Sequence, residues 1–185
     1  MLSNLSANWL MALGAVLCLI TVYVLYKVTI FLKDFFQPFK KGKSYLCRVS
    51  DISDGDTLTC YRMNLRRSKT KLRFAYVDAP ESTQAYGKES ARLIKSMVYK
   101  KFVRVKITDV DRYGRCVGVI YRYRKCMNEE MVKRGAAWVY EEYIRDQKHL
   151  NYMMNLQSKA RKQKKGLWKA SRPMRPKEYR KLHRL

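Results

Sequence analysis

DISDGDTLTCYR, residues 51–62, puts Asp51, Asp54 and Asp56 within six positions of a chain whose Lys and Arg outnumber its Asp and Glu by 40 to 15. An Asp-Gly pair followed by the alternation of DTLTCYRM reads as a turn leading into a strand, the signature of a hairpin. Working outward, YLCRVSDI, KLRFAYV, FVRVKITDV and RCVGVIYRY mix β-branched and aromatic residues in runs of strand length. Five strands in this span predict a small barrel or sheet. On its own, Asp-Gly in mid-hairpin is equally well a purely structural turn.

Helical spacing appears between and after the strands. KESARLIKSMVYKK carries Ala91, Ile94, Met97 and Val98 on one face. NEEMVKRG is a short helix closed by Gly135, and a longer one is expected from about Arg145 to Lys165, with Leu150, Met153, Met154 and Leu156 turned inward and Gly166 as its stop. The expected fold class is therefore α+β. The last stretch, KASRPMRPKEYRKLHRL, has two prolines and many cations and reads as a mobile basic tail over 169–185.

The first 26 residues carry no charged side chain, and Trp9 to Tyr26 is an unbroken weakly polar or apolar run that KVTIFL extends to Leu32. About 20 apolar residues cross a bilayer, so residues 1–32 are expected to be a single transmembrane anchor, followed by a basic linker over 33–44. A cleaved signal peptide needs a basic n-region, a shorter apolar core and a small-residue cleavage site; none is visible. Lysines 27, 33, 40, 41 and 43 all follow the span. The positive-inside rule then places the C-terminal domain in the cytoplasm.

A formal charge of +25 predicts a polyanionic partner, nucleic acid or an anionic membrane surface. The plainer alternative is a non-specifically adhesive surface. Cys18, Cys47, Cys60, Cys116 and Cys126 make an odd count without a C-x-x-C pair, which does not suggest zinc. With His149 and His183 as the only histidines, there is little material for a His-rich metal site or a Ser/His/Asp relay.

The acids can then be placed. Asp54 and Asp56 flank Gly55 at a turn, and the third strand runs into DAPE, which puts Asp78 and Glu81 at its end. Carboxylates at adjoining strand ends can converge on one hard cation such as Ca²⁺. Arg73 lies on the same strand as Asp78, and Arg115 follows the Tyr113-Gly114 turn of DRYGR; guanidinium groups hold two phosphate oxygens at once. Metal, carboxylate and arginines are what phosphodiester hydrolysis needs. DISDG does not fit a calcium loop of the EF-hand type.

Order and spacing together say more. DGDT, then RFAYVDAPE, YGKES, DRYGR, NEEMVKRGAAWV and the closing KKGLW resemble the staphylococcal nuclease (thermonuclease) family over about residues 45–168. The resemblance implies an OB-type five-stranded barrel with three helices, in agreement with the independent reading of strands and helices. It also implies Asp56, Asp78 and the backbone carbonyl of Ala79 as Ca²⁺ ligands, Glu81 as the carboxylate that activates or positions water, and Arg73 and Arg115 as the phosphate clamp. Arg112, which stands where the best-known member has Lys, and Tyr113, Tyr140 and Tyr143 would contact substrate. Ala79 replaces the usual Thr, which keeps the carbonyl and loses a hydroxyl.

The expected function is a membrane-anchored, monomeric, Ca²⁺-dependent endonuclease acting on DNA and RNA and bound to lipid through its N-terminal helix. Two other classes compete with it. A catalytically inactive OB-type module binding nucleic acid or protein would be expected to have lost Glu81 or the arginines. A basic membrane-surface protein would leave DGDT and DAPE unused.

Overall fold

The structure, a computed structural model, describes residues 2–36, 39–63 and 69–183. The chain forms two compact units, Met1–Pro38 and Phe39–Leu185. Residues 37–38 of the expected linker, and the last two of the expected tail, lie outside the described residues.

The first unit is one helix, α1 (Leu2–Phe36). Its stretch Met11–Leu32 is long and apolar enough to cross a membrane, and every side chain along it is exposed. Twenty-two residues rise about 33 Å, close to the roughly 30 Å of a hydrocarbon core.

In the second unit the strands are β1 (Ser44–Asp54), β2 (Thr57–Arg62), β3 (Lys69–Phe74), β4 (Val77–Asp78), β5 (Phe102–Val110), β6 (Cys116–Arg122), β7 (Lys125–Cys126) and β8 (Trp138–Val139). The order β3-β2-β1-β5-β6 is antiparallel throughout, and parallel pairing of β3 with β6 closes it into a five-stranded barrel. β1 serves two partners, β5 along its first half and β2 along its second. Register shifts at Val49/Asp51 and Ile52/Asp54 give it the bend that this requires. Closure leaves no long open edge.

Alternation fills the barrel. Cys47, Val49, Leu58, Cys60, Leu72, Phe74, Val103, Val105, Ile107 and Ile120 point inward and are buried, and their β-branched and aromatic content is what favours strands. The other helices of this unit are α2 (Gly87–Val98), α3 (Met127–Lys133), α4 (Gln147–Lys162) and α5 (Pro176–His183). Ile94 and Val98 of α2, Met131 and Val132 of α3 and Met153 of α4 join the same core. Phe39 is buried there too, and Gly42 N–H bonds to Ile107 O at 2.8 Å, so ordered structure begins before β1. All five cysteines are free thiols.

The three helices read from the sequence are present as α2, α3 and α4. The tail differs from expectation: Pro176–His183 is a helix. Proline at its first position, Glu178 in the first turn and Arg180, Lys181 and His183 in the last turn suit a helix with its macrodipole compensated. Contacts along its length and just before it dock the helix. Gln84 Nε2 donates to Met174 O at 2.8 Å, Tyr179 OH reaches Thr83 Oγ1 at 3.1 Å, and Arg175 and Lys177 pair with Glu141 and Glu142 at 3.3 and 2.5 Å.

One buried polar side chain ties the helical layer to the barrel. Asn128, 1% exposed, accepts from Ile120 N–H at 2.9 Å and donates to Ala75 O and Gly118 O at 2.8 and 3.2 Å. It satisfies backbone groups where β3 ends and β6 passes, groups that water cannot reach. Asn128→Leu, similar in volume, strands an N–H and weakens two carbonyls. It is expected to destabilise the barrel by about 2–4 kcal/mol, read as a lowered urea midpoint at unchanged slope.

Candidate active site

The hairpin turn, the end of β3 and the start of α2 meet at one point because small residues let them. An ideal Cβ on Gly55 would lie 2.7 Å from Ala79 Cβ and 1.9 Å from Ser90 Oγ. On Gly87 it would lie 1.8 Å from Glu81 O. No side chain fits either place, so DGD packs directly on DAPE, and the chain leaving DAPE packs directly on α2. Ser90, fully buried, fixes α2 further by donating to Ala136 O at 2.7 Å.

Between β3 and β4, Tyr76 adopts a left-handed backbone, φ 69°, which is uncommon for a residue with a bulky side chain. This break ends the barrel strand. Val77 and Asp78 then pair with Val139 and Trp138 of β8, and Tyr140 N–H bonds to Tyr76 O at 2.9 Å.

Asp56 and Asp78 are 2% and 4% exposed, and Arg73 spans them. Its Nη1 lies 3.0 Å from Asp56 Oδ1 and its Nη2 2.8 Å from Asp78 Oδ1. Asp56 also accepts from Thr57 Oγ1 at 3.0 Å and, through Oδ2, from the Ala79 N–H at 2.9 Å. Asp54 stands behind it, accepting from the Asp56 N–H at 3.0 Å. Burial pushes the Asp56 carboxyl up to about 7; Arg73 and the Ala79 N–H oppose this, while Asp54 and Asp78 add to it. Arg73 thus offsets only part of what burial costs the Asp56 carboxylate.

A second guanidinium enters from α5. Arg180 Nη1 lies 2.7 Å from Glu81 Oε1 and 3.1 Å from Asp78 Oδ1, and its Nη2 lies 3.0 Å from Asp78 Oδ2. Three carboxylates, Asp56, Asp78 and Glu81, therefore face two arginines. Among the described residues, no three His, Cys, Asp or Glu side chains are gathered as a ready metal-ligand group. The donors that do meet are carboxylate oxygens, the chemistry a hard cation takes.

The remaining residues singled out in the sequence fall into two groups. Arg115, immediately before β6, is held by Asp111, with Nε to Oδ2 at 2.7 Å, and among the described residues takes no part in the ion pairs of the cluster. β6 runs parallel beside β3 with Val117 opposite Arg73, so Arg115 lies two positions before the level of Arg73 on the neighbouring strand. Asp111 also accepts from the N–H groups of Tyr113 and Arg115, each at 2.9 Å. Tyr113 is exposed, with Arg112 at 4.8 Å and Arg115 at 5.4 Å from its ring centre, and Arg112 Nη2 bonds its hydroxyl at 2.7 Å. Tyr140 lines a cavity of about 240 Å³ with Asp78, Trp138, Glu141, Glu142 and Arg175. Tyr143 packs edge-on against Tyr140, ring centres 4.5 Å apart.

Two contributors went unread in the sequence. Asp111 lies inside the DRYGR motif, and its spacing to the turn residues is the Asx-turn pattern. Arg180 lies in a segment whose polarity hid a helix that Pro176 and the flanking charges do signal.

Residues 71–170 match the family profile described as staphylococcal nuclease homologue. The chain is 40% identical over 139 residues to a protein of Haemophilus influenzae named "uncharacterized endonuclease", with 75% of each chain covered. Its identity to an Escherichia coli protein of the same name is 41% over 130 residues, covering 70% of this chain and 80% of the other. With the "micrococcal nuclease" of Shigella flexneri it shares 32% over 141 residues, covering 71% and 78%.

Asp111 yields a testable pH dependence of stability. Partial burial works against its charge, but hydrogen bonds from the Arg115 N–H and guanidinium and from the Tyr113 N–H outweigh it, so its carboxyl is held below the ordinary 3.8. Its contribution is therefore complete above pH 3.8 and lost as pH falls through the lower folded value. Asp111→Ala is expected to cost about 1–2 kcal/mol near neutral pH and progressively less on acidification, as urea midpoints across pH would record.

Proposed function

Since the chain belongs to the staphylococcal nuclease homologue family, a lineage of phosphodiester hydrolases, we propose that it is a Ca²⁺-dependent endonuclease of DNA and RNA tethered to a membrane by α1. The observation that carries the catalytic half of this reading is the convergence of buried Asp56 and Asp78 on one guanidinium, with Glu81 beside them. Oxygen donors at the meeting point of two strand ends, short of positive charge, suit a hard divalent cation. Asp56, Asp78 and the Ala79 carbonyl are its proposed ligands. Bound there, the cation would polarise the phosphoryl oxygen and offset the charge that grows on it.

The chain's own residues supply the rest. Arg73 reaches the cluster from the barrel wall, and its fork, bonded here to Asp56 and Asp78, is of the kind that suits a phosphate. Arg115, aimed by Asp111, supplies the second. Two fixed guanidiniums stabilise the additional negative charge of the transition state without reorganising. Glu81, at the rim and 26% exposed in its side chain, has access to water and acts as the base that orients or deprotonates it. Tyr113, flanked by Arg112, and Tyr140, beside Asp78, offer ring faces for bases with no demand on sequence. Positive charge elsewhere gathers the polyanion. Lys27 and the lysines after it favour a cytoplasmic catalytic unit.

The test uses the full chain in detergent micelles on circular single-stranded DNA, which has no ends, so any cleavage is endonucleolytic. Cutting is expected with Ca²⁺ and not with chelator, and it is expected to vanish in Asp56→Asn. Glu81→Gln is expected to lose about 100-fold or more, and Arg73→Ala or Arg115→Ala about 100- to 1000-fold. Tight binding with no cleavage under any divalent metal would move the assignment to a nucleic-acid-binding module.

A further inference from the structure

The catalytic cluster contains a cation that the active-site motifs do not supply. Arg180 comes from 99 positions beyond Glu81 in the chain, yet it satisfies both oxygens of Asp78 and one of Glu81 at 2.7–3.1 Å. Asp78 Oδ1 is shared with Arg73, so the Asp78 carboxylate is enclosed by two guanidiniums. Such a bidentate, charge-assisted pair is among the stronger polar contacts a protein makes, and this one is three-quarters shielded from solvent on the arginine side, at 25% exposure.

The delivery is built, not incidental. α5 is fastened on both flanks of the cluster: on one by Lys177 to Glu142 and Arg175 to Glu141, on the other by Tyr179 to Thr83 and Gln84 to Met174 O. Arg175 also lies over the Trp138 ring at 4.9 Å, and Pro176 is buried. These contacts are mostly polar and peripheral, and α5 buries only Pro176 among its eight residues. That is the profile of a segment that docks reversibly, since low apolar burial goes with low local stability.

Resting on the reading of Asp56, Asp78 and Glu81 as the cation and water site, we propose that α5 is a built-in competitor for that site, a latch whose Arg180 neutralises Asp78 and Glu81 until a divalent cation displaces it. The two states oppose each other. Arg180 takes an acceptor site on each Asp78 oxygen, Oδ1 being already bonded to Arg73, and a divalent ion beside it would meet like charge at contact range. In the latched state Glu81 Oε1 also accepts from Arg180, which draws its charge away from water. Cation binding therefore releases α5, frees Glu81 and opens the cavity that Arg175, Pro176 and Lys177 wall off beside Tyr140.

Calorimetric titration of CaCl₂ into the full chain in micelles, without nucleic acid, tests this independently of turnover. Arg180→Gln removes the α5 guanidinium, leaving Arg73 in place, and is expected to tighten Ca²⁺ binding about 10- to 100-fold, the equivalent of the charge-assisted hydrogen bonds no longer broken. Lys177→Gln loosens the dock without touching Asp78 or Glu81 and is expected to tighten binding by less. Hydrogen exchange of the wild type is expected to quicken across 176–183 when Ca²⁺ is added. Wild-type binding that both variants leave unchanged or weaken, or α5 amides equally protected with and without Ca²⁺, would overturn the latch while leaving the calcium site standing. No binding by any of the three proteins at millimolar Ca²⁺ would sink the calcium reading and the latch with it.

Discussion

Everything at this site depends on Asp56 and Asp78 being buried together. Two carboxylates removed from water and set side by side repel each other and lose hydration, and neither cost is met unless positive charge is brought to them. Arg73 meets part of it, and its position on β3, one strand over from the DGD turn and five residues before Asp78, is what the barrel closure provides. The register Thr57 opposite Arg73 puts the arginine beside Asp56, and the break at Tyr76 brings Asp78 back to the same guanidinium. Shape and charge are thus a single constraint. Without Gly55 and Gly87 the turn could not approach DAPE, and without Arg73 the approach would bury uncompensated charge.

This constraint explains why so basic a protein gathers acids where it does. Asp54, Asp56, Asp78, Glu81, Glu141 and Glu142, six of the fifteen acidic residues, stand at the cluster or line the cavity next to it. Elsewhere acids mostly hold local structure. Asp146 caps α4 through the N–H groups of Lys148 and His149, and Glu130 pairs along α3 with Lys133 and Arg134. The long-range field of the molecule favours a polyanion, whereas the carboxylates at the cluster draw the guanidiniums of Arg73 and Arg180. Both signs are needed to hydrolyse a phosphodiester, one for the substrate's backbone and one for the groups that act on it.

The barrel was legible because strands such as β1 and β5 alternate, as in Cys47 and Val49 inward against Leu46 and Arg48 outward, and because hairpin turns are written in Asp-Gly and Tyr-Gly pairs. The helices were legible by period, Ile94 with Val98 above all. Parallel pairing of β3 with β6 was not, since sequence patterns carry register only within a hairpin. Nor was Asn128, whose three bonds join segments 53, 10 and 8 residues apart. A lone buried Asn looks in sequence like any other polar residue at a helix start. For the site, motifs named the residues at strand ends but not who was already bonded to them: Arg115 is held by Asp111, four positions earlier, and Asp78 by Arg180 from the far end of the chain.

That last pairing shows why composition misleads about α5. Its charge density and two nearby prolines describe a segment with too little apolar surface to form a core, and α5 indeed forms none. What orders it is a target of opposite sign. Glu141, Glu142, Asp78 and Glu81 accept from Arg175, Lys177 and Arg180, so its folding energy resides in ion pairs whose acids belong to another segment. Such a helix is stable only while those acids remain available. Whatever else draws on the same carboxylate oxygens is coupled to the order of this helix, because any gain in affinity for one is a loss for the other.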